Sequence, residues 1–214
     1  MEIAPSIIAG DFSRLEDEIR SVEDSGIGIL HLDVMDGHFV PNFTFGILIV
    51  EAIRRMTSLE LDTHLMMSKP SLYLERFYEA GADILTVHIE TGLEAFRSLE
   101  IARERGKRIG LAVNPPVHPK VLLPHLEDIH QVIVMTVNPG FAGQKMIEDA
   151  LYKVEFLRRE RDKRGLSFRI SVDGGVKREH LPMLRDMGVD VAVMGSGFFG
   201  LSRDERRALA RIAS

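Results

Sequence analysis

Short apolar runs rich in β-branched residues alternate along the whole chain with charged stretches of helical spacing. The apolar runs are Ile3–Ile8, Ile27–Met35, Leu59–Met67, Ile84–Ile89, Arg108–Val113, Gln131–Val137, Phe168–Asp173 and Val189–Met194. Helical spacing is plainest over Ser13–Ser25, Ser71–Ala80, Leu93–Arg105 and Ile147–Arg164. Such alternation forces a parallel sheet, because each return crossover has to pass through a helix. Gly26, Gly81, Gly106, Gly165 and Gly188 stand where a helical stretch gives way to the next strand, the place of a left-handed helix cap. SGIGILHL, AGADILTV and MGVDVAVM read as copies of one helix-to-strand joint.

Eight strand candidates and eight helix candidates, the fifth and eighth helices short, share 214 residues. No linker rich in Pro, Gly or Ser divides them, and no segment is of low complexity. The pattern predicts one domain over residues 1–214, folded as an α/β protein of the (β/α)8 TIM-barrel class. A doubly wound open sheet is the structural alternative. The lack of a GxGxxG turn after the first strand speaks against it.

Composition narrows the function classes. The chain has no cysteine, which removes disulfides, thiolate metal sites and a thiol nucleophile together. Its net charge is -5 with no basic stripe, so no nucleic-acid partner is expected. The apolar runs are too short for a membrane span, and MEIAPSII carries no signal-peptide pattern. The expectation is a cytoplasmic protein without a membrane partner; assembly into a homo-oligomer is left open.

Within the apolar strands, polar residues recur at period two. His31, Asp33 and Met35 share one face of the second strand, and Asp62, His64 and Met66 one face of the third. Asp173 closes the seventh. A lone strand histidine is ordinarily a satisfied core residue, and Asp62 reads best as a structural hydrogen-bonding group. Together, His31, Asp33, His64 and Asp173 resist that reading, because two buried carboxylates need a cation or a network to hold them. Two His and two Asp suit one divalent ion such as zinc, iron, manganese or cobalt, without choosing among them. His88 fits either a pocket contact or a buried structural role. By spacing alone, Met35, Met66 and Met135 are core filler.

Gly174-Gly175 and Gly195-Ser196-Gly197 follow the seventh and eighth strands, where barrels often hold a phosphate on backbone N–H groups. No cluster of Arg or Lys is read at those turns. The loop Asn138-Pro139-Gly140-Phe141-Ala142-Gly143-Gln144 after the sixth strand suits a closing lid.

HLDVMDGHFVPNFTFG at 31–46, LDTHLM at 61–66, TVNPGFAGQ at 136–144, SVDGG at 171–175 and MGSGFFG at 194–200 make the chain resemble the pentulose-phosphate 3-epimerases, the ribulose-phosphate 3-epimerase family. The match runs in order along almost the whole chain. The resemblance implies a metal-dependent isomerase of carbohydrate metabolism, in the pentose phosphate pathway. Its substrate would be a small sugar phosphate, D-ribulose 5-phosphate giving D-xylulose 5-phosphate. It assigns His31, Asp33, His64 and Asp173 to one divalent metal ion, with Asp33 and Asp173 also the catalytic acid and base. It places Ser6, Met35, His64, Met66 and Met135 in the substrate pocket, with Gly140, Phe141, Ala142 and Gly143 on its loop. Gly174, Gly175, Gly195 and Ser196 would meet the phosphate. Ser171 stands where the family usually has Glu, Ile47-Leu48 replaces a common Pro pair, and Ala142 a common Gly. FAGQ, with MTV before it, also resembles the allulose-6-phosphate 3-epimerases, which leaves a six-carbon substrate as the alternative.

The chemistry fits the pattern. Inverting a carbon beside a ketone takes a proton from one face and returns one to the other, which calls for two carboxylates. A metal would polarise the carbonyl and stabilise a cis-enediolate. Related decarboxylases and hexulose-phosphate synthases carry Asp-x-Lys-x-x-Asp on the second strand; here that frame reads His31-x-Asp33-x-x-Asp36, without the lysine. A non-catalytic sugar-phosphate-binding barrel would be expected to have lost at least one of the four ligand residues, and all four are present.

Overall fold

The computed structural model describes residues 1–213. Among them lie eight parallel strands: β1 (Glu2–Pro5), β2 (Ile29–Met35), β3 (Glu60–Met66), β4 (Ile84–His88), β5 (Arg108–Val113), β6 (Gln131–Met135), β7 (Arg169–Asp173) and β8 (Val191–Met194). Each strand from β2 to β7 pairs with the next, β7 pairs with β8, and β8 pairs with β1. A single parallel bridge, Ser6 to His31, brings β1 against β2 and nearly closes the barrel. The barrel expected from the alternation is the fold observed.

The helices are α1 (Leu15–Asp24), α2 (Ile47–Met56), α3 (Leu74–Glu79), α4 (Leu93–Glu104), α5 (Tyr152–Arg164), α6 (Leu181–Met187), α7 (Ser196–Phe199) and α8 (Arg203–Ala213). The connection after β5 departs from the expectation: it holds only a 3-10 turn, Pro119–Leu122. Pro115, Pro116, Pro119 and Pro124 crowd that stretch, and each removes a backbone donor that a longer helix would need. The run from Ile147 opens with a second 3-10 turn, Glu148–Leu151, before α5 begins. The last crossover carries two helices, and α8 is 11 residues long, so it is not short. The first strand ends at Pro5, and Ile7–Ala9 turns away as a 3-10 helix. Gly165 and Gly188 cap α5 and α6 in the left-handed conformation, at φ 64° and 90°.

Alternation along each strand separates two interiors. Leu30, Leu32 and Val34 of β2 point out into a shell shared with Ile19, Val22, Val50 and Ile53 of the covering helices. All are buried, and burial of such side chains contributes about 1.5–3 kcal/mol each. The opposite face lines the barrel. Ala4, Ile29, Val191 and Val193 form a small apolar layer there. Above it sits a polar layer: the Gln131 amide donates to Asp62 Oδ1 at 2.6 Å and to Thr86 Oγ1 at 2.8 Å. Polar groups in a barrel interior persist only when bonded in this way.

The N-terminal ends of the strands form a charged floor. Glu60 accepts from Arg108 at 2.6 Å and from Arg169 at 2.8 Å, while Arg54 holds Asp83 at 3.0 Å. Burial opposes ionisation of Glu60, but the two guanidiniums outweigh it and hold its carboxyl below the usual range.

Candidate active site and metal centre

At the opposite end of the barrel, β2, β3 and β7 bring four ligand-type side chains to one point. One donor atom each from His31, Asp33, His64 and Asp173 lie within 4.8 Å of one another. Asp33 Oδ1 lies 3.3 Å from both His31 Nε2 and His64 Nδ1, and Asp173 Oδ2 lies 3.7 Å from His64 Nδ1. The four residues grouped from strand periodicity are therefore together in space.

His31 and Asp33 are aimed by partners outside the cluster. His31 Nδ1 sits 2.8 Å from Asp62 Oδ2, which turns Nε2 inward; the structural reading of Asp62 holds, and its target is this ring. Asp33 Oδ2 accepts from the Ser6 hydroxyl at 2.5 Å. Ser6 thus orients a cluster carboxylate besides lining the cleft, a task its sequence position did not reveal. Two threonines also escaped the sequence reading. Thr44 donates to the Asp33 carbonyl at 2.7 Å and accepts from Met35 N at 2.9 Å. Thr136 donates to the Gly174 carbonyl at 2.6 Å, and its own N–H to the Asp173 carbonyl at 2.7 Å. Both clamp the backbone at the strand end that carries an aspartate. Asp36, in the frame of the decarboxylase motif, accepts from the N–H groups of His38, Phe39 and Ser68 and so serves as a loop brace.

Charge at the mouth is unbalanced. Burial opposes ionisation of Asp33, yet the His31 and His64 rings hold its carboxyl well below the usual range. Burial and then the nearby Asp33 charge push Asp173 up to about 6. Burial also opposes charge on His31, but Asp33 and Asp62 overcome it and raise its pKa well above the ordinary value. His31 Nε2 is buried without a hydrogen-bond partner, since Asp33 Oδ1 at 3.3 Å does not meet its N–H direction. An orphaned imidazole nitrogen, two carboxylates and a second imidazole converging on one point form a donor set that fits a divalent cation. Burial, with the neighbouring His64 ring adding to it, sends His88 down to about 4 against the pull of Glu90, so it is a neutral buried ring.

Above the cluster lies a cleft of about 740 Å³, its open mouth included. Ser6, Met35, Met66 and Met135 line it together with Asp33 and Asp173, so the methionines are wall rather than anonymous core filler. Gly174, Gly175, Gly195 and Ser196 line another side, and Gly140, Phe141, Ala142 and Gly143 a third. His31 and His64 are fully buried beneath it. The 138–144 loop is latched to Asn42, whose amide donates to the Gly140 carbonyl at 2.6 Å, and to itself through Gln144. Gly175 is required by its surroundings: φ is +67°, and a Cβ there would come within 2.4 Å of the Met146 amide nitrogen. No basic cluster was expected at the glycine turns, but the structure brings Lys177 to the cleft wall. Its signal was the pair Lys177-Arg178, beginning four residues past Asp173 and indistinguishable in sequence from surface charge.

The comparisons with known proteins agree with this geometry. The profile of the ribulose-phosphate 3 epimerase family matches residues 2–199. A Bacillus subtilis (strain 168) protein named ribulose-phosphate 3-epimerase is 43% identical over 213 residues, covering 99% of this chain and 98% of its own length. A Treponema pallidum (strain Nichols) protein of the same name is 46% identical over 197 residues, covering 92% and 90%. Among solved structures, 3-hexulose-6-phosphate synthase from Salmonella typhimurium superposes with a TM-score of 0.70 at 20% identity, covering 100% of this chain and 98% of that one. Orotidine 5'-phosphate decarboxylase from Pyrococcus horikoshii OT3 does so at 0.70 and 16% identity, covering 99% and 98%. Those two likenesses speak for the barrel alone. With the profile over nearly its full length and relatives above 40% identity, the chain belongs to the ribulose-phosphate 3-epimerase family of isomerases.

Proposed function

We propose that the chain epimerises carbon 3 of a ketose phosphate, interconverting D-ribulose 5-phosphate and D-xylulose 5-phosphate, with Asp33 and Asp173 as the acid and base. The observation that carries this reading is the pair of carboxylates on β2 and β7, brought to one point yet given opposite environments. Two carboxyl groups whose surroundings push their proton affinities apart are the mark of an acid–base pair. Asp33 stays ionised and takes the proton from one face of the substrate. Asp173 holds its proton more tightly and returns one to the other face; in the reverse direction the roles exchange. The Ser6 hydroxyl on Asp33 Oδ2 restricts which oxygen is free to move the proton.

His31, Asp33, His64 and Asp173 would hold one divalent ion, which when bound would polarise the substrate ketone and offset the negative charge that develops on its oxygens. Met35, Met66 and Met135 cover the reacting carbon with side chains that have no proton to give, so stray protonation is suppressed. Gly175, Gly195 and Ser196 meet the phosphate through the backbone, and Lys177 adds a cation on the same wall.

The test is steady-state turnover of ribulose 5-phosphate and allulose 6-phosphate, side by side, before and after chelation and reloading with zinc, iron, manganese or cobalt. Activity that disappears with the metal and returns with it supports the reading. Undiminished turnover in rigorously metal-free protein overturns the metal role, and preference for the six-carbon ketose overturns the substrate assignment.

A further inference from the structure

His31 and His64 both face the cluster, but they are steered differently. His31 is held directly by Asp62. His64 turns Nδ1 toward Asp33 and Asp173 and has no carboxylate behind it. Its Nε2 lies 2.9 Å from Nε2 of His88, and the two rings stack with centroids 4.9 Å apart. Between two such nitrogens one must donate and the other accept, so the pair has two possible proton arrangements, and only one leaves His64 Nδ1 with a bare lone pair.

We propose that His88 and Glu90 are positioning residues that select this arrangement, fixing the proton of His64 on Nε2 so that Nδ1 can bind the cation. Asp33 Oδ1, 3.3 Å from His64 Nδ1, draws the proton the opposite way, and the far end is what opposes it. His88 Nδ1 faces Glu90 Oε2 at 3.2 Å, and an ionised carboxylate can only accept. The His88 proton is therefore on Nδ1, its Nε2 is bare, and His64 has to donate to it. Glu90 cannot turn away, because its other oxygen accepts from the Asn114 N–H at 2.7 Å. The buried Lys153 holds that segment in turn, donating to the carbonyls of Asn114 and Pro115. Phe39 packs against the His88 ring at a tilt of 44°, centroids 4.6 Å apart, and limits its rotation. The inference rests on the metal-binding reading of the cluster and extends it to residues that touch neither the ion nor the substrate.

Glu90→Gln is the decisive variant. With its carbonyl kept on the Asn114 N–H, glutamine presents an NH2 to His88, which moves the His88 proton to Nε2 and the His64 proton to Nδ1. Zinc affinity, read by chelator competition at fixed pH, should fall about 10–100-fold. In histidine-labelled, metal-free protein, the 15N shifts of His88 should change from an Nδ1–H to an Nε2–H ring. His88→Phe should lose affinity similarly, whereas His88→Gln, whose carbonyl can accept from His64, should restore most of it. In the His88→Gln background, Glu90→Gln should add little, because the relay is already cut.

Zinc affinity within twofold of the wild type in Glu90→Gln overturns the proposal. So does a loss of affinity without the change in His88, since that loss would be merely structural. If Glu90→Gln does not fold, the contrast between His88→Phe and His88→Gln decides, and equal losses in the two overturn the relay. Failure of the wild type itself to bind zinc would instead count against the metal centre, which keeps the two readings distinguishable.

Discussion

The two ends of the barrel treat charge in opposite ways. At the floor, Glu60 lies between Arg108 and Arg169, and Asp83 lies against Arg54, so each carboxylate meets a cation of the same chain. At the mouth, Asp33 and Asp173 lie close together, and the His31 ring, whose charge burial opposes and Asp33 and Asp62 favour, is shared between those last two carboxylates. The floor lowers the proton affinity of its glutamate, while the mouth raises that of Asp173 to about 6. Paired charges stabilise the molecule without needing anything added; a surplus of one sign at a buried point costs stability until a proton or a counter-ion from outside offsets it. The floor therefore serves stability, and the mouth is preorganised for a ligand.

That contrast is open to direct attack. The largest expected effect is at the mouth: Asp33→Asn or Asp173→Asn should each lower turnover by about 10²–10⁴-fold in both directions. The double variant should be little worse, because the pair acts as a unit. Metal content must be measured in each, and a metal-replete Asp173→Asn protein that epimerises at near the native rate would refute the assignment.

The same Asp173→Asn change should make the metal-free protein more stable. A carboxyl at about 6 in the folded chain against 3.8 as its ordinary value disfavours the ionised native state by on the order of 3 kcal/mol. The native state then binds the extra proton between those values, so stability falls as pH rises through that window. The advantage of asparagine should be full above pH 6 and vanish below about 4, readable from urea melts at several pH values.

The floor should respond in reverse. Glu60→Gln takes the short carboxylate contacts from Arg108 and Arg169, which keep Asp83 and Glu2 only at 3.9 Å, and should cost about 1–3 kcal/mol while sparing turnover. Its pH dependence has the opposite sign. A carboxyl lowered in the folded state contributes above its unfolded value and loses that contribution as pH falls through the folded one. Wild type and variant should accordingly converge on acidification. A variant that kept stability but lost turnover would erase the distinction between the two ends.

Gly195→Val should give the smallest change, raising KM about tenfold by keeping the backbone from the phosphate, a step worth about 1.4 kcal/mol. Its φ is negative, but its ψ of -103° lies outside the usual regions and a Cβ there would meet the Cβ of Ala9 at 3.3 Å, so the folded fraction is to be measured beside KM. Normal binding in this variant would move the phosphate elsewhere.

Much of this was legible from residues three or fewer apart. Period two in HLDVM and LDTHL put His31, Asp33 and His64 on inward faces, and the end of SVDGG put Asp173 at the rim. The braces were not legible. Ser6 and Asp33 are 27 residues apart, and the Lys153 and Asn114 that stand behind Glu90 are 39 apart. Nothing in either local pattern marks one as the partner of the other. The missing helix after β5 was a softer failure: the prolines were visible, but whether they shorten a helix or replace it depends on how the turn packs.

Local pattern was enough for the barrel, because the alternation of strand and helix and the direction of successive side chains are properties of the backbone, repeated at each joint. It was enough also for the types of ligand at the mouth, since chemistry belongs to the residue. Which nitrogen of each histidine faces the cluster, which aspartate stays ionised and which oxygen Ser6 occupies were decided only by packing. Those properties depend on separations of 2.5–3.7 Å between side chains from different strands. In a buried site the electrostatic energy changes by kilocalories over such distances, far more than any spacing in the chain can encode.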